Sequence, residues 1–221
     1  MTPPAPDRCL IKICGVTRPE DGLFALESGA DWLGFIRWPK SARYRPAEDC
    51  AAALAAIRRA APRPFQAVGV YVNADPAVIA EEGAAIGFDR FQLHGEETPE
   101  YARALARPVI KVLRIRDAAS LAEAERYAGL DLLTDTWDPA LPGGTGRGYD
   151  YTLLARLVAR RRVIVSGGLT PANVGEVVRA VGPWGVDVAS GVESAPGIKE
   201  RAKVLAFISA VRDAEGQSAP C

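Results

Sequence analysis

The stretch Cys9-Leu10-Ile11-Lys12-Ile13-Cys14 decides the fold, because Gly15 and the helix-start pattern Thr17-Arg18-Pro19-Glu20 follow it at once. A short apolar run bounded by a turn signal is typical of a buried strand, and Thr followed three residues later by Glu is typical of a capped helix start. The same strand-then-helix pattern recurs along the chain, with β-rich runs near 9–14, 31–36, 66–72, 89–93, 108–114, 131–135, 162–166 and 185–189. Eight strands alternating with helical segments predict parallel βαβ units.

Eight such units in one compact chain favour closure into a barrel. The length of 221 residues lies near the lower end for an eight-fold barrel, which spans roughly 200 to over 400 residues. The competing arrangement is an open doubly wound sheet, which usually carries a glycine-rich fingerprint where this chain has Cys14-Gly15-Val16-Thr17. We therefore predict an α/β fold, a single-domain (β/α)8 TIM barrel over residues 1–221, with frayed tails at 1–8 and 214–221.

The boundaries of the predicted helices are marked by recurrent residue types. Asp75-Pro76, Thr98-Pro99 and Thr170-Pro171 each place a capping residue before proline at the first helical position. Glycines that suit helix ends stand at Gly29, Gly87 and Gly129.

Charge and cysteine content restrict the function. Lys plus Arg and Asp plus Glu number 27 each, so the chain has no general attraction for nucleic acid or an anionic membrane. No segment reaches the roughly 18 apolar residues of a membrane helix. The spacing of the four cysteines matches no zinc site and no compact disulfide framework, which predicts reduced thiols in a cytoplasmic protein: Cys9, Cys14, Cys50 and Cys221.

Polar residues at the carboxyl ends of the predicted strands are the catalytic candidates, because barrel active sites lie there. Cys14 follows strand one and Asp135 ends strand six, so the two should face each other across the barrel mouth. A thiolate and a carboxylic acid so placed suit a general base and a general acid, provided that the thiol pKa falls from about 8.5 toward neutrality. The simpler alternatives are a small buried hydrophobe for Cys14 and a cap to the Thr136 amide for Asp135.

Glycine-bearing turns follow the last three strands. Gly167-Gly168 and Ser190-Gly191 follow strands seven and eight, where barrels usually bind phosphate through backbone N–H groups. Gly143-Gly144-Thr145-Gly146, after strand six, can close over the same phosphate. Each turn alone is weak evidence, since glycine serves any tight turn, but the three together predict a phosphate site.

The loop after strand two is basic and aromatic. The planar guanidinium of Arg43 suits a substrate carboxylate, while Trp38 or Tyr44 can stack on an aromatic ring. The alternative is a solvated charged loop.

Several polar residues are predicted to face the barrel interior. His94, the only histidine, is in phase with Gln92, and a lone inward histidine is more often structural than catalytic. Lys12, Lys111 and Asp187 are expected to form a charge layer under the site.

The chain resembles the phosphoribosylanthranilate isomerases, tryptophan-biosynthesis enzymes of (β/α)8 barrel fold, from about residue 10 to 212. The motifs that carry the resemblance occur in order at the family's spacing: Lys12-Ile13-Cys14-Gly15, Gly34-Phe35-Ile36 with Ser41-Ala42-Arg43, Val68-Gly69-Val70-Tyr71, Gln92-Leu93-His94-Gly95, Asp135-Thr136, Gly143-Gly144-Thr145-Gly146, Ser166-Gly167-Gly168-Leu169 and Asp187-Val188-Ala189-Ser190-Gly191-Val192-Glu193.

The resemblance implies an Amadori rearrangement without metal or cofactor. It converts N-(5-phosphoribosyl)anthranilate to 1-(o-carboxyphenylamino)-1-deoxyribulose 5-phosphate, with Cys14 as general base, Asp135 as general acid and Arg43 on the anthranilate carboxylate. The expected partner is this small phosphorylated substrate, with no nucleic acid and no membrane, in a monomer or homodimer. The further predicted substrate-binding residues are His94, Gly143, Gly144, Thr145, Gly146, Gly167, Gly168, Asp187, Ser190 and Gly191.

Two other functions stay open at this point. A related isomerase that acts on a histidine-pathway ribonucleotide uses a pair of Asp residues, one of them where this chain has Cys14. A phosphate-binding barrel without catalysis is the second alternative, which fold alone does not exclude. A pure binder needs neither Cys14 nor Asp135, so their presence together counts against it.

Overall fold

The computed structural model describes residues 8–136 and 149–216, and its eight parallel strands close into one barrel in chain order. The last strand pairs with the first, where Lys12 lies opposite Asp187. The strands are β1 (Leu10–Ile13), β2 (Trp32–Ile36), β3 (Gln66–Tyr71), β4 (Arg90–Leu93), β5 (Val109–Ile115), β6 (Asp131–Thr136), β7 (Val163–Val165) and β8 (Gly185–Val188). The predicted (β/α)8 barrel is confirmed, and each predicted strand overlaps an observed one.

Helices occupy the connections between the strands. They are α1 (Pro19–Ser28), α2 (Ala47–Ala60), α3 (Pro76–Glu82) with a π turn at Gly83–Gly87, α4 (Pro99–Ala104), a 3₁₀ helix (Ala118–Tyr127), a 3₁₀ turn (Tyr151–Leu154) leading into α5 (Ala155–Val158), α6 (Val174–Val181), a 3₁₀ turn (Ser190–Val192) and α7 (Arg201–Gly216). An antiparallel hairpin of β9 (Glu193–Ala195) and β10 (Ile198–Lys199) stands between β8 and α7.

Two of the predicted helix starts are confirmed. The Asp75 side chain accepts a hydrogen bond from Ala77 N at 2.8 Å, and Thr98 Oγ1 accepts one from Tyr101 N at 3.2 Å. These bonds satisfy N–H groups that the first turn of a helix leaves unpaired.

Two other predicted starts are wrong. Thr17 does not cap α1, because the residue at the cap position is Arg18, whose side chain makes no capping hydrogen bond. The Thr17 hydroxyl instead donates to Gly197 O at 2.6 Å and so binds the β9–β10 hairpin. Thr170 opens a turn and not a helix: its N–H donates to Asn173 Oδ1 at 2.8 Å, and α6 begins only at Val174.

Alternation along the strands separates a barrel interior from a larger layer between strands and helices. The interior apolar cluster consists of Trp32, Val68, Ile110, Val112, Leu133 and Ile164. Lys12 and Asp187 face this interior, as predicted, with Nζ 2.9 Å from Oδ1. The same prediction is wrong for Lys111: it lies between the inward Ile110 and Val112, so it points to the helices and pairs there with Glu97 at 2.8 Å.

The amino-terminal end of the barrel carries a stack of aromatic and cationic side chains. The rings of Trp32 and Trp184 meet edge to face, with centroids 5.5 Å apart. Arg90 lies over Trp32 and Arg162 over Trp184, at 4.7 and 5.4 Å from the ring centroids. Arg90 also reaches Asp131 at the start of β6, 3.3 Å away. These contacts form a floor beneath the apolar interior.

The carboxyl-terminal helix fastens the first strand. Arg212 donates to Cys9 O at 2.7 Å, and Glu215 accepts from Cys9 N. Ala214 is fully buried, and α7 continues to Gly216. The predicted frayed tail from residue 214 therefore begins too early, because these contacts hold the last turn of the helix against β1.

Candidate active site

One pocket at the carboxyl ends of the strands gathers most of the predicted site residues. Among its lining residues are the predicted Cys14, Arg43, His94, Asp135, Gly167, Gly168, Asp187, Ser190 and Gly191, together with Trp38, Ser41, Gln92 and Ser166. The predicted Gly143, Gly144, Thr145 and Gly146 lie outside the described residues.

Cys14 stands at the end of β1 beside a buried ammonium group. Its N–H donates to Val188 O at 2.8 Å, which fixes the strand end against β8. Gly34 faces the thiol from β2, and a Cβ there would lie 2.7 Å from Cys14 Sγ and 3.0 Å from Lys12 Nζ. The missing side chain at Gly34 therefore gives room for the thiol and the ammonium group to lie side by side.

Burial raises the pKa of the Cys14 thiol, and the positive charge of Lys12 opposes this without reversing it. The expected shift of the Cys14 pKa toward neutrality is thus not found, because desolvation outweighs the nearby cation. Burial also lowers the pKa of Lys12, but Asp187 and the thiol outweigh it, and the net pKa of Lys12 is raised. Lys12 therefore remains an ammonium ion under the base candidate.

Asp135 is the second-last residue of β6, and its side chain both caps the next backbone N–H and lines the pocket. Its Oδ1 accepts from Thr136 N at 2.8 Å, so the capping alternative is also observed. Its Oδ2 lies 3.2 Å from His94 Nε2, at ion-pair distance but without hydrogen-bond alignment. Because β1 and β6 are not neighbours in the barrel, Asp135 and Cys14 line the same pocket from different sides.

The glycine turns after β7 and β8 are held close together. Gly167 and Gly168 have φ values of +85° and +69°, which favour glycine. A Cβ on Gly167 would lie 2.8 Å from Asp135 Oδ1, and one on Gly191 would lie 2.0 Å from Leu169 O. Both turns therefore bring bare backbone to the pocket wall, as a phosphate site requires.

Arg43 does not belong to a solvated loop. Its Nε donates to Glu193 Oε1 at 2.9 Å and its Nη2 to Glu193 Oε2 at 2.7 Å. Trp38 lines the pocket, whereas Tyr44 lies under the Arg37 guanidinium, 4.9 Å from ring centroid to Cζ. Of the two aromatic residues predicted to stack on a substrate ring, Trp38 is therefore the one that lines the pocket together with Arg43.

Sequence reasoning missed the partners of Arg43. Glu193 is buried on the β9–β10 hairpin, and Lys199 Nζ lies 2.8 Å from its Oε1. The signal that could have found this pair is Pro196-Gly197, a turn dipeptide that brings the residues on either side of it together.

The described part of the chain has neither a group of metal ligands nor a membrane-spanning helix. Within residues 8–136 and 149–216, no three His, Cys, Asp or Glu side chains are grouped as metal ligands. No helix in those ranges combines the length and apolar character needed to cross a bilayer.

The family model for N-(5'phosphoribosyl)anthranilate (PRA) isomerase matches residues 11–210 of the chain. This chain belongs to the phosphoribosylanthranilate isomerase family. The N-(5'-phosphoribosyl)anthranilate isomerase of Pelobacter propionicus is 41% identical over 208 residues, which cover 94% of this chain and 98% of that relative.

Solved isomerase structures share the fold along nearly the whole chain. The phosphoribosyl anthranilate isomerase of Thermotoga maritima is 36% identical with a TM-score of 0.86, covering 93% of this chain and 99% of that one. A further structure of the isomerase holds reduced 1-(o-carboxyphenylamino)-1-deoxyribulose 5-phosphate. It is 35% identical with a TM-score of 0.82, again over 93% and 99% of the two chains.

Proposed function

We propose that this chain converts N-(5'-phosphoribosyl)anthranilate to 1-(o-carboxyphenylamino)-1-deoxyribulose 5-phosphate in tryptophan biosynthesis, with Cys14 as general base and Asp135 as general acid. Family membership supports the reaction. The observation that carries the residue roles is that a thiol from β1 and a carboxyl group from β6 line one pocket. A histidine-pathway isomerase and a phosphate-binding barrel without catalysis account less well for this pairing.

The chemistry needs one proton delivered and one removed. Asp135 donates a proton to the furanose ring oxygen, the bond from that oxygen to C1 breaks, and the anthranilate nitrogen forms a protonated Schiff base with C1. The Cys14 thiolate then removes the C2 proton, and the electron pair moves toward nitrogen to give an enolamine. Tautomerisation gives the C2 ketone. Each step is proton transfer by a positioned side chain.

The remaining pocket residues can hold the three parts of the substrate. The turns at Gly167-Gly168 and Ser190-Gly191 suit the phosphate, and Arg43 suits the anthranilate carboxylate beside Trp38. Gln92 Oε1 is buried in the pocket wall with no hydrogen-bond partner among the described residues, so it can accept from a ribose hydroxyl. Asp187 is engaged by Lys12, so its predicted contact with substrate stays a prediction.

Of the two cations that favour the Cys14 thiolate, Lys12 has the larger effect and Lys199 the smaller. Replacing Lys12 with Met removes the ammonium group and leaves Asp187 uncompensated, and both changes raise the Cys14 pKa. We expect the rise of kcat/KM with pH, which reports ionisation of the free enzyme, to move about one pH unit or more to higher pH. Activity at neutral pH falls, and raising the pH restores part of it.

Lys111→Met is the matched control, because Lys111 is also a buried, ion-paired lysine but faces the helices. The Lys111→Met substitution can lower the free energy of unfolding, but the dependence of kcat/KM on pH should stay unchanged. An unchanged profile for Lys12→Met would show that Lys12 serves packing only.

The direct test of the function is loss of fluorescence from phosphoribosylanthranilate generated in situ. We expect rapid turnover by the purified wild-type chain without added metal or cofactor. A folded protein that binds a phosphorylated sugar analogue but gives no turnover would favour the binding-protein alternative. The monomeric or homodimeric state and the cytoplasmic location stay predictions.

A further inference from the structure

The hairpin after β8 places two opposite charges deep beside the active-site pocket. The side chains of Glu193 and Lys199 are 4% and 1% exposed, and Nζ lies 2.8 Å from Oε1. The hairpin turn is tied down as well, since Gly197 N donates to Glu193 Oε1 at 3.2 Å and Gly197 O accepts from Thr17. Burying such an ion pair costs desolvation free energy unless further hydrogen bonds satisfy its remaining donors and acceptors.

Glu193 holds Arg43 through one edge of the guanidinium. The Nε and Nη2 atoms donate to the two carboxylate oxygens in a fork-to-fork pair. Below the guanidinium, a Cβ on Gly15 would lie 2.6 Å from Arg43 Cδ, so the stem of the arginine packs tightly on the β1 turn. The edge that carries Nη1 lies outside this ion pair and keeps its donors for another carboxylate.

Lys199 connects this clamp to the strand end that carries the base. Its ammonium group donates to Cys14 O and, at 3.3 Å, to Ala189 O. The Lys199 N–H also donates to Asp21 Oδ2 at 3.0 Å, which anchors the hairpin on α1. One chain of contacts therefore runs from the backbone of Cys14 through Lys199 and Glu193 to Arg43.

The charges of the cluster fit one incoming anion. Burial lowers the pKa of Lys199, and Glu193 opposes this without reversing it. Nζ nevertheless donates to three oxygen atoms, those of Cys14 O, Ala189 O and Glu193 Oε1, which needs the three N–H groups of an ammonium ion. In that form Arg43 and Lys199 contribute +2 and Glu193 contributes −1, which leaves +1 for the substrate carboxylate. Burial raises the pKa of Glu193, but the hydrogen bond from Arg43 and the charge of Lys199 outweigh it and hold that pKa below its ordinary value. Glu193 is therefore ionised at neutral pH and keeps Arg43 oriented.

We propose that Glu193, held by Lys199, is a positioning residue that aims Arg43 at the anthranilate carboxylate and fixes its distance from the strand end bearing Cys14. The inference rests on the proposed function, because it assumes that Arg43 binds this carboxylate. It assigns a substrate-orienting role to a hairpin that touches no reacting atom itself.

The test compares two ligands that differ only in the carboxylate. One is reduced 1-(o-carboxyphenylamino)-1-deoxyribulose 5-phosphate, and the other is its counterpart made from aniline, which lacks the carboxylate. For Glu193→Gln we expect binding of the first ligand to weaken about tenfold, while binding of the second changes less than about twofold. In the assay, KM should rise more than kcat falls, and Glu193→Asp should recover part of the loss.

Matched variants separate positioning from folding. Asp131→Asn neutralises another carboxylate that pairs with an arginine, at the opposite end of the barrel, and should leave both affinities unchanged. If Glu193→Gln does not fold, Glu193→Gln with Lys199→Met removes both buried partners of the ion pair and should show the same carboxylate-specific loss. Equal weakening of both ligands would overturn the inference in favour of a structural role.

Arg43→Ala distinguishes failure of the inference from failure of the proposed function. Suppose that wild type prefers the carboxylate-bearing ligand, that Arg43→Ala abolishes this preference, and that Glu193→Gln keeps it. The positioning role of Glu193 is then wrong, while the role of Arg43 stands. If Arg43→Ala leaves the preference intact, or wild type shows none, Arg43 is not the carboxylate ligand, and both the inference and the role proposed for Arg43 are wrong. Turnover in the fluorescence assay decides the isomerase function separately. If Glu193 acts through Arg43, adding Glu193→Gln to Arg43→Ala should change neither affinity further.

Discussion

Cys14→Ala is expected to lower kcat by about 10³-fold or more, at the upper part of the range for loss of a general base. The substitution removes the Sγ atom that lies beside Lys12 at the pocket wall and leaves the β1 backbone contacts unchanged. Affinity for the reduced product analogue should change little, since phosphate and carboxylate binding are assigned to other residues of the pocket. Steady-state fluorescence kinetics and calorimetric titration measure the two quantities.

Cys9 and Cys50 provide matched controls, because both are buried thiols that do not line the pocket. Burial raises the pKa of Cys9 to about 12 and that of Cys50 to about 11, as expected for thiols with a packing role. Cys9→Ala and Cys50→Ala should lower thermal stability and preserve kcat. Cys14→Ala with near wild-type turnover would contradict the assignment of the base.

Asp135→Asn is expected to lower kcat by about 10²- to 10⁴-fold. Asparagine keeps the shape of the side chain and can keep the bond from Thr136 N through its carbonyl oxygen, so the loop should stay in place. An amide cannot deliver the proton that opens the furanose ring, and this loss is specific to the reaction. The assay should show low turnover while the reduced product analogue still binds.

Asp131→Asn changes the same residue type at the other end of the same strand and should leave turnover unchanged. Should Asp135→Asn retain turnover within a few-fold of wild type, the acid is another group. His94 would then be the next candidate, because its Nε2 lies 3.2 Å from the Asp135 carboxylate.

Periodicity was sufficient to predict the barrel, because each strand is a short apolar run between turn signals and eight such units close in only a few ways. The residues at the strand ends followed from the same argument, since parallel strands bring their carboxyl ends to one mouth. The sequence alone therefore predicts that Cys14 and Asp135, far apart along the chain, line one pocket, and they do.

Contacts between distant segments set the limits of that reasoning. Thr17 has the local pattern of a helix cap, but in the fold its hydroxyl donates a hydrogen bond to the distant Gly197 O. Sequence alone predicts the wrong face for Lys111, because the strand does not reveal Glu97, its buried partner. Glu193 and Lys199 were missed because their importance depends on Arg43, 150 residues away from Glu193.

The tryptophan and arginine floor has a consequence for how this protein can adapt. Trp32, Trp184, Arg90 and Arg162 secure the end of the barrel opposite the pocket, whereas proton transfer is assigned to the other end. The contacts that close one end of the barrel and the residues assigned to catalysis therefore lie at opposite ends of the same strands. Substitutions among the floor residues can therefore change thermal stability while the pocket residues stay the same, which weakens the usual trade-off between stability and activity.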